Sequence, residues 1–283
     1  MKQISKQHTV IVTGGHLTPA VATIEQIRLR HPNWNVVFVG RKHALEGSRV
    51  ISEEYNFVKV LGIRFIPLIT GRIKRDMSFY TVWSLMKIPV GFFHAWWIVA
   101  RQRPDAILSF GGYVAFPVVI VAWLLRVPVI THEQTTKPGL ANRIIGRFAT
   151  RICTSFPGQD AIFSRAVTYT GLPLRKSTFE KGSVPDFYLH SRLPMLFITG
   201  GSTGSVSIND VVFASLPRLL AACCIIHQVG SVSADRAHSV KQRGPAAVMS
   251  RYHPVPYLDA ATYSWILQNA TIIVGRSGAN SVI

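Results

Sequence analysis

The chain holds 283 residues, 48% of them hydrophobic, with 31 Lys and Arg against 13 Asp and Glu for a formal charge of +18. That length suits two domains of ordinary size, each with its own core, and such a charge calls for an anionic partner: nucleic acid, an acidic membrane surface or phosphorylated ligands. Mean hydropathy is high at +0.26, yet the richest stretches, residues 88–100 and 114–125, are cut by Pro89, Gly91, His94 and Pro117 and are shorter than the roughly 20 residues of a membrane-spanning helix. The opening MKQISKQHTV has no apolar core of a secretory signal, so the cytoplasm is the expected location. Cys153, Cys223 and Cys224 suggest neither a zinc site nor a disulfide framework.

In chain order, short runs rich in Val and Ile alternate with segments of helical period, the pattern of parallel sheets covered by helices on both faces. Strands are expected at residues 9–12, 36–39, 106–109, 129–131, 151–154 and 167–170. Helices are expected at 19–30, 80–101, 116–125 and 140–148, with Pro19 in the first turn of its helix, where a missing amide is harmless. Periodicity fails over residues 172–193, which turn to Pro, Ser, Lys and Gly and read as a linker. A second series follows: strand 195–199, helix 207–221, strand 225–229, helix 235–242, strand 246–250, helix 261–269 and strand 271–274. The expected organisation is therefore α/β, two doubly wound parallel-sheet domains over residues 1–171 and 194–283.

Open parallel sheets bind ligands beyond the carboxyl ends of their strands, and three such ends carry glycine: Thr13-Gly14-Gly15-His16, Gly111-Gly112-Tyr113 and Gly200-Gly201-Ser202-Thr203-Gly204. A residue without a side chain lets backbone amides approach a phosphate at the positive end of the next helix. Neither GxGxxG nor GxxxxGK[ST] occurs, which disfavours a dinucleotide fold or a P-loop ATPase. D-x-D is absent too, so no metal site and no cofactor are called for, and a departing diphosphate would be neutralised by amides, a helix dipole or Arg. After strand 129–131 stands His132-Glu133-Gln134-Thr135, where a histidine and a carboxylate are candidates for general-base work.

TGGHLTPA, FGGY, HEQTTKPGLANR, TGLPLR, GGSTGSVSIN, HQVG, YLDA and GRSGANSV follow one another along nearly the whole chain, and together they resemble the MurG family of nucleotide-sugar transferases. The resemblance implies a GT-B fold of two Rossmann-like domains, the second incomplete. It also implies inverting transfer of N-acetylglucosamine from UDP-N-acetylglucosamine to the C4 hydroxyl of the muramic acid sugar of lipid I, in cell-wall (peptidoglycan) synthesis. By that resemblance His16 lies beside the diphosphate and the reacting sugar, and His16 or Glu133 is the base. Thr13, Gly14 and Gly15 would touch the donor sugar and diphosphate, Arg175 and Leu258 the uracil, and Ser202 the phosphates. Ser277, Gly278, Ala279, Asn280, Ser281 and Val282 would bring a helix start to the diphosphate and ribose. Gly111, Gly112, Tyr113 and Gln134 fall on the acceptor side, and Thr135 stands where the family has a sugar-binding amide.

Besides Thr135, three departures accompany the resemblance. Ile11-Val12 replaces the glycine pair that leads the family's first loop, Thr203 stands where glutamine is common, and SGANSVI stops one position before the family's ribose-binding glutamate. A fragment that binds UDP weakly and turns over little is the expectation from that ending. Residues 64–103 combine Arg64, Arg72, Lys74 and Arg75 with Phe79, Tyr80, Trp83, Phe92, Phe93, Trp96 and Trp97, and Trp83, Met86, Val90, Phe93 and Trp97 share one helix face. Such a face packs in a core or lies in an anionic membrane surface, and the resemblance implies peripheral attachment to the cytoplasmic side of the cell membrane. Two further readings remain open, a related transferase acting on diacylglycerol or another polyprenyl lipid and a non-catalytic subunit that docks a lipid acceptor. Nucleic acid is not an expected partner, since the basic residues form no recognisable module.

Overall fold

The computed structural model describes residues 7–43, 51–69, 79–188, 192–201, 204–276 and 278. The chain divides into two compact units, Met1–Arg175 and Lys176–Ile283. In the first unit the order is β1 (Thr9–Thr13), α1 (Leu17–Arg30), β2 (Asn35–Gly40), α2 (Glu53–Val60), β3 (Arg64–Pro67), α3 (Phe79–Gln102), β4 (Ala106–Ser109), α4 (Gly112–Leu124), β5 (Val129–Glu133), α5 (Leu140–Phe148), β6 (Arg151–Thr154), α6 (Asp160–Phe163) and β7 (Thr168–Tyr169). Its sheet is parallel throughout, in the order β3-β2-β1-β4-β5-β6-β7.

Two apolar layers sandwich that sheet. Ile11, Ile107 and Val129 lie abreast in register and pack with Ile98 of α3, Val118 of α4 and Ile145 of α5. Val10, Val12 and Phe38 point the other way, onto Ile24 of α1 and Val58 of α2. The chain leaves β1 for β2 and β3 on one side, then crosses back to β4 and continues outward on the other. This reversal puts the switch point, where such sheets hold ligands, between the carboxyl ends of β1 and β4.

Helix α4 begins four residues before its expected start and runs through Pro117. A proline inside a helix costs about 3 kcal/mol, but Val114, Ala115, Val118, Val119, Val121 and Ala122 are all buried, and tertiary burial outweighs the lost hydrogen bond. α2 and β3 carry little sequence signal. The first has only eight residues and is started by Ser52, whose side chain accepts the Tyr55 amide at 3.1 Å. The second leaves Arg64 and Pro67 exposed at the sheet edge.

The second unit opens with a 3₁₀ turn at Lys176–Thr178 and continues through β8 (Met195–Thr199), α7 (Val206–Ala222), β9 (Cys224–Gln228), α8 (Ala234–Arg243), α9 (Ala246–Met249), β10 (Tyr252–Val255), α10 (Ala260–Asn269) and β11 (Ile272–Gly275). Its parallel sheet has the order β10-β9-β8-β11. One face packs against α7 through Val212, Leu216 and Leu220, the other against α10 through Ile266. Much of the stretch after Lys176 is bound to this unit. The Ser264 hydroxyl and the Gln268 side-chain amide donate to the Glu180 carbonyl at 2.7 and 2.9 Å.

One expected strand is corrected. Residues 246–250 are a helical turn, with the Met249 amide bonded to the Pro245 carbonyl at 2.9 Å. Proline at the start pre-sets a helical φ, and the strand follows as β10. That strand lies at the sheet edge, where Pro254 can lack an amide without breaking a ladder.

Candidate active site

The first two glycine turns leave adjacent strands and touch. A Cβ on Gly15 would lie 2.1 Å from the Gly111 carbonyl oxygen, and one on Gly112 would lie 3.2 Å from Gly15 Cα. Gly111 and Gly112 also have φ of +78° and +77°, in the left-handed region that glycine alone enters freely. Glycine at these turns therefore serves close backbone approach and backbone shape together. α1 starts from its turn without a side-chain cap, whereas α2 and α10 are capped by Ser52 and Asp259, and the first amide of α4 is taken by Asn142. Uncapped first-turn amides are what an anion can use.

His16 stands at the start of α1. Its Nδ1 lies 2.6 Å from the side-chain amide of Gln134, which follows β5 in the chain. Burial lowers the pKa of His16, and the nearby charge of Glu133 opposes that shift. The ring is accordingly neutral at pH 7. His132, one residue before the carboxylate, is also lowered, mainly by burial, and its Nε2 is 3.1 Å from the Gly171 carbonyl. Thr13 Oγ1, His132 Nδ1 and Gln134 Oε1 are buried polar atoms with no protein partner. Orphaned acceptors and donors around one half-buried histidine mark a place where a ligand or water completes the bonding.

Glu133 is 2% exposed and heavily engaged. Oε1 accepts the Thr135 amide at 2.8 Å and its hydroxyl at 2.7 Å, while Oε2 accepts Nδ2 of Asn142 at 2.5 Å. Asn142 in turn accepts the Gly112 amide at 2.9 Å. On the other side, Glu54 of α2 fills the space over Gly14, its Oε1 only 2.6 Å from where a Cβ would stand, and accepts the Arg41 amide at 3.2 Å. The Arg41 guanidinium lies 5.1 Å from the centre of the Tyr113 ring. Asn142, Arg41 and Glu54 are site residues that motif reading passes over. Asn142 left a trace, an amide on the buried stripe of α5 beside Ile145 and Gly146; Glu54 and Arg41 left none, because their partners are remote in sequence.

The other expected site residues fall each within its own unit. Arg175 pairs with Glu25 of α1 at 2.7 Å and lies 5.2 Å from the centre of the Phe57 ring. In the second unit, the Gly201 amide donates to Thr199 Oγ1 at 3.0 Å, and Arg276 beyond β11 donates to the Gly204 carbonyl at 2.9 Å, tying the third glycine loop to the neighbouring strand end. The Leu258 side chain is buried with Met195, Phe197, Ile226 and Ile266. Gly278 is exposed. Ser202, Thr203, Ser277, Ala279, Asn280, Ser281 and Val282 lie outside the described residues, as do Arg72, Lys74 and Arg75.

Comparison with known proteins bears on both units. Residues 9–154 match the glycosyltransferase family 28 N-terminal domain, and residues 195–283 match the glycosyltransferase family 28 C-terminal domain. A Treponema denticola protein named UDP-N-acetylglucosamine--N-acetylmuramyl-(pentapeptide) pyrophosphoryl-undecaprenol N-acetylglucosamine transferase is 30% identical over 95% of this chain and 71% of its own. A protein of the same name from Shouchella clausii is 31% identical over 96% of this chain and 74% of its own. Among solved structures, Acinetobacter baumannii MurG superposes with a TM-score of 0.67 at 24% identity, covering 98% of this chain and 74% of that one. A UDP-GlcNAc 2-epimerase from Neisseria meningitidis, bound to UDP-GlcNAc, shares the fold at 10% identity with a TM-score of 0.59, covering 97% of this chain and 78% of that one.

Proposed function

Because the chain belongs to glycosyltransferase family 28, we propose that it is an inverting transferase that moves N-acetylglucosamine from UDP-N-acetylglucosamine to the C4 hydroxyl of the muramic acid sugar of lipid I. The relatives at 30–31% identity bear the name of that transferase. The observation that carries the reading is His16, a neutral histidine at the junction of two abutting glycine turns and at the head of an uncapped helix.

The chemistry asks for one proton acceptor. His16 takes the proton of the attacking hydroxyl as that oxygen bonds to the anomeric carbon and the bond from that carbon to the UDP phosphate breaks. Depressed basicity keeps the ring unprotonated and able to accept at pH 7. Gln134 sets the tautomer. Its amide touches Nδ1 while its Oε1 is buried without a partner. A half-turn of the amide places Oε1 against Nδ1–H and leaves the ring's Nε2 lone pair as the accepting face.

The remaining assignments complete the proposal. The Gly15 amide and Thr13 Oγ1 approach the donor sugar and diphosphate, with Gly14 beside them but its own amide bonded to the Val39 carbonyl at 3.1 Å, while Gly111, Gly112 and Tyr113 serve the acceptor. The third glycine loop and the segment after β11 hold the nucleotide. Leu258, with its side chain in the core, meets the uracil through its backbone, and Arg175, paired with Glu25 within its own unit, is assigned to the uracil as well. Thr135 donates its hydroxyl to Glu133 and offers a sugar only an acceptor.

Among the described residues no helix is long and apolar enough to cross a membrane. We place the enzyme at the cytoplasmic face of the cell membrane as a peripheral protein, held by an apolar surface on three neighbouring helices. Phe93 and Leu140 are 78% and 74% exposed, and Trp96, Trp97, Trp123 and Leu124 are exposed beside them along α3, α4 and α5. Arg101 lies 5.6 Å from the centre of the Trp97 ring, the pairing of ring and cation suited to an anionic headgroup layer. The side chains of Trp83 and Met86 are outside the described residues.

The deciding assay follows UDP release from UDP-N-acetylglucosamine with lipid I and, separately, with diacylglycerol. Turnover with lipid I alone is expected. Turnover with diacylglycerol alone moves the acceptor to the second lipid class, and donor binding without turnover on either leaves a docking subunit. Vesicle co-sedimentation is expected to rise with anionic lipid and fall with salt; indifference to both counts against the membrane surface.

A further inference from the structure

Glu133 lies on the strand end beside His16, which makes its carboxylate the rival base, yet its bonding points to another task. Both oxygens are occupied, Oε1 by the amide and hydroxyl of Thr135 and Oε2 by Asn142. The Asn142 side chain is itself buried, 6% exposed, and its only charged neighbour in this chain of bonds is Glu133.

The direction of each bond is forced by the one before it. Gly112 presents an N–H, which can only donate, so Asn142 must face it with Oδ1. Its Nδ2 then faces Glu133 and requires an acceptor, which an ionised carboxylate always is. The asparagine also occupies the space above Gly111, where a Cβ would meet Nδ2 and Oδ1 at 2.3 Å. The same turn is the one whose carbonyl closes on Gly15, next to His16.

We propose that Glu133 is a positioning residue: through Asn142 it holds the Gly111-Gly112 turn against Gly15, and it takes no proton from the acceptor. The carboxylate supplies the one acceptor that fixes which way Asn142 points, and Asn142 supplies the one acceptor that fixes Gly112. This assignment rests on the reading of His16 as the base, but the bond chain can be tested without any turnover.

The test is a reciprocal exchange of carboxylate and amide. In Glu133→Gln, the remaining oxygen is claimed by Thr135, and the new NH₂ opposes the NH₂ of Asn142. In Asn142→Asp, two carboxylates face each other. In Glu133→Gln/Asn142→Asp, every donor again meets an acceptor, with the charge moved along the chain. Hydrogen exchange at the Gly112 amide and the pH profile of kcat/KM are measured for all four proteins, with melting temperature as the check on folding.

Each single variant is expected to speed Gly112 exchange and to lower kcat/KM, both by about tenfold or more, the scale of one broken buried charged hydrogen bond. The double variant is expected to return both to within about threefold of the parent, with the acid limb of the pH profile where the parent has it. Restored exchange with kcat still as low as in Glu133→Gln alone would overturn the proposal, because position 133 would then need its carboxylate for chemistry. So would Asn142→Asp with unchanged kcat, since a base at 133 survives that substitution. Single variants with parental Gly112 exchange refute the bond chain itself. If the parent turns over neither acceptor, the exchange measurements alone decide, and the reaction reading fails separately.

Discussion

Each unit sets a histidine against a side-chain amide, and the two are finished differently. In the second unit His227 has no exposed surface. Its Nδ1 is 3.1 Å from the Tyr252 hydroxyl and its Nε2 is 3.1 Å from Oδ1 of Asn209, whose Nδ2 donates to the Val229 carbonyl at 2.8 Å. Every atom in that set has a partner, and burial depresses the ring pKa to about 4. In the first unit His16 is half-buried, touches one amide, and is surrounded by the unpartnered atoms of Thr13, His132 and Gln134. A completed polar network fixes a fold, while an incomplete one at a strand end reserves its capacity for a substrate.

The contrast can be broken at several points. The largest expected effect is His16→Gln, which lowers kcat by about 10²- to 10⁴-fold, the usual worth of a general base, while the melting temperature stays close to the parent. Steady-state kinetics beside thermal melts tests this; a large loss of stability with normal kcat would reverse the roles assigned to the two histidines.

Acid comes next. His227 and His253 both have folded pKa values of about 4, below the ordinary value of 6.5, so the unfolded chain binds their protons first. Stability from the neutral rings is complete above pH 6.5, falls as pH drops from there to about 4, and levels off below. At about 1.4 kcal/mol per pKa unit the loss is on the order of 3 kcal/mol for each ring. Urea melts at pH 7, 5 and 4 read it, and His227→Gln is expected to flatten the slope by about half.

Asn209→Leu strands the Val229 carbonyl and His227 Nε2 and is expected to remove about 1–3 kcal/mol from unfolding, measured by urea titration, without shifting the pH profile of the transferase. The smallest effect is Gln134→Glu. A carboxylate beside Nδ1 raises the pKa of His16, and the acid limb of kcat/KM moves upward by about one unit. A stationary limb would detach Gln134 from the base.

What could be read in advance follows from the range of the interactions. The central parallel strands announced themselves as Val and Ile runs because both faces are buried, as with Val10 through Val12 and Met195 through Ile198. Residues 246–250 misled because Ala-Ala-Val-Met suits a buried strand and a helical turn equally, and only Pro245 tips the balance. In the site, the glycine turns were legible because they depend on their own backbone. The meeting of His16 with Gln134, 118 positions apart, is set by the order in which β1, β4 and β5 lie in the sheet. The order β2-β1-β4 likewise places Arg41 over Tyr113. Glu133 reads as a candidate base from the polar residues beside it in sequence, whereas its bond to Asn142 of the next helix leaves no mark there.

The crowding of Gly111 against Asn142 reaches beyond this one molecule. Glycine at 111 is required twice over: alanine there meets the Asn142 side chain, and at φ +78° it stays strained even with that side chain shortened, at the further cost of the bond on Gly112. Natural variants are therefore expected to retain both residues together or to have rebuilt the turn entirely.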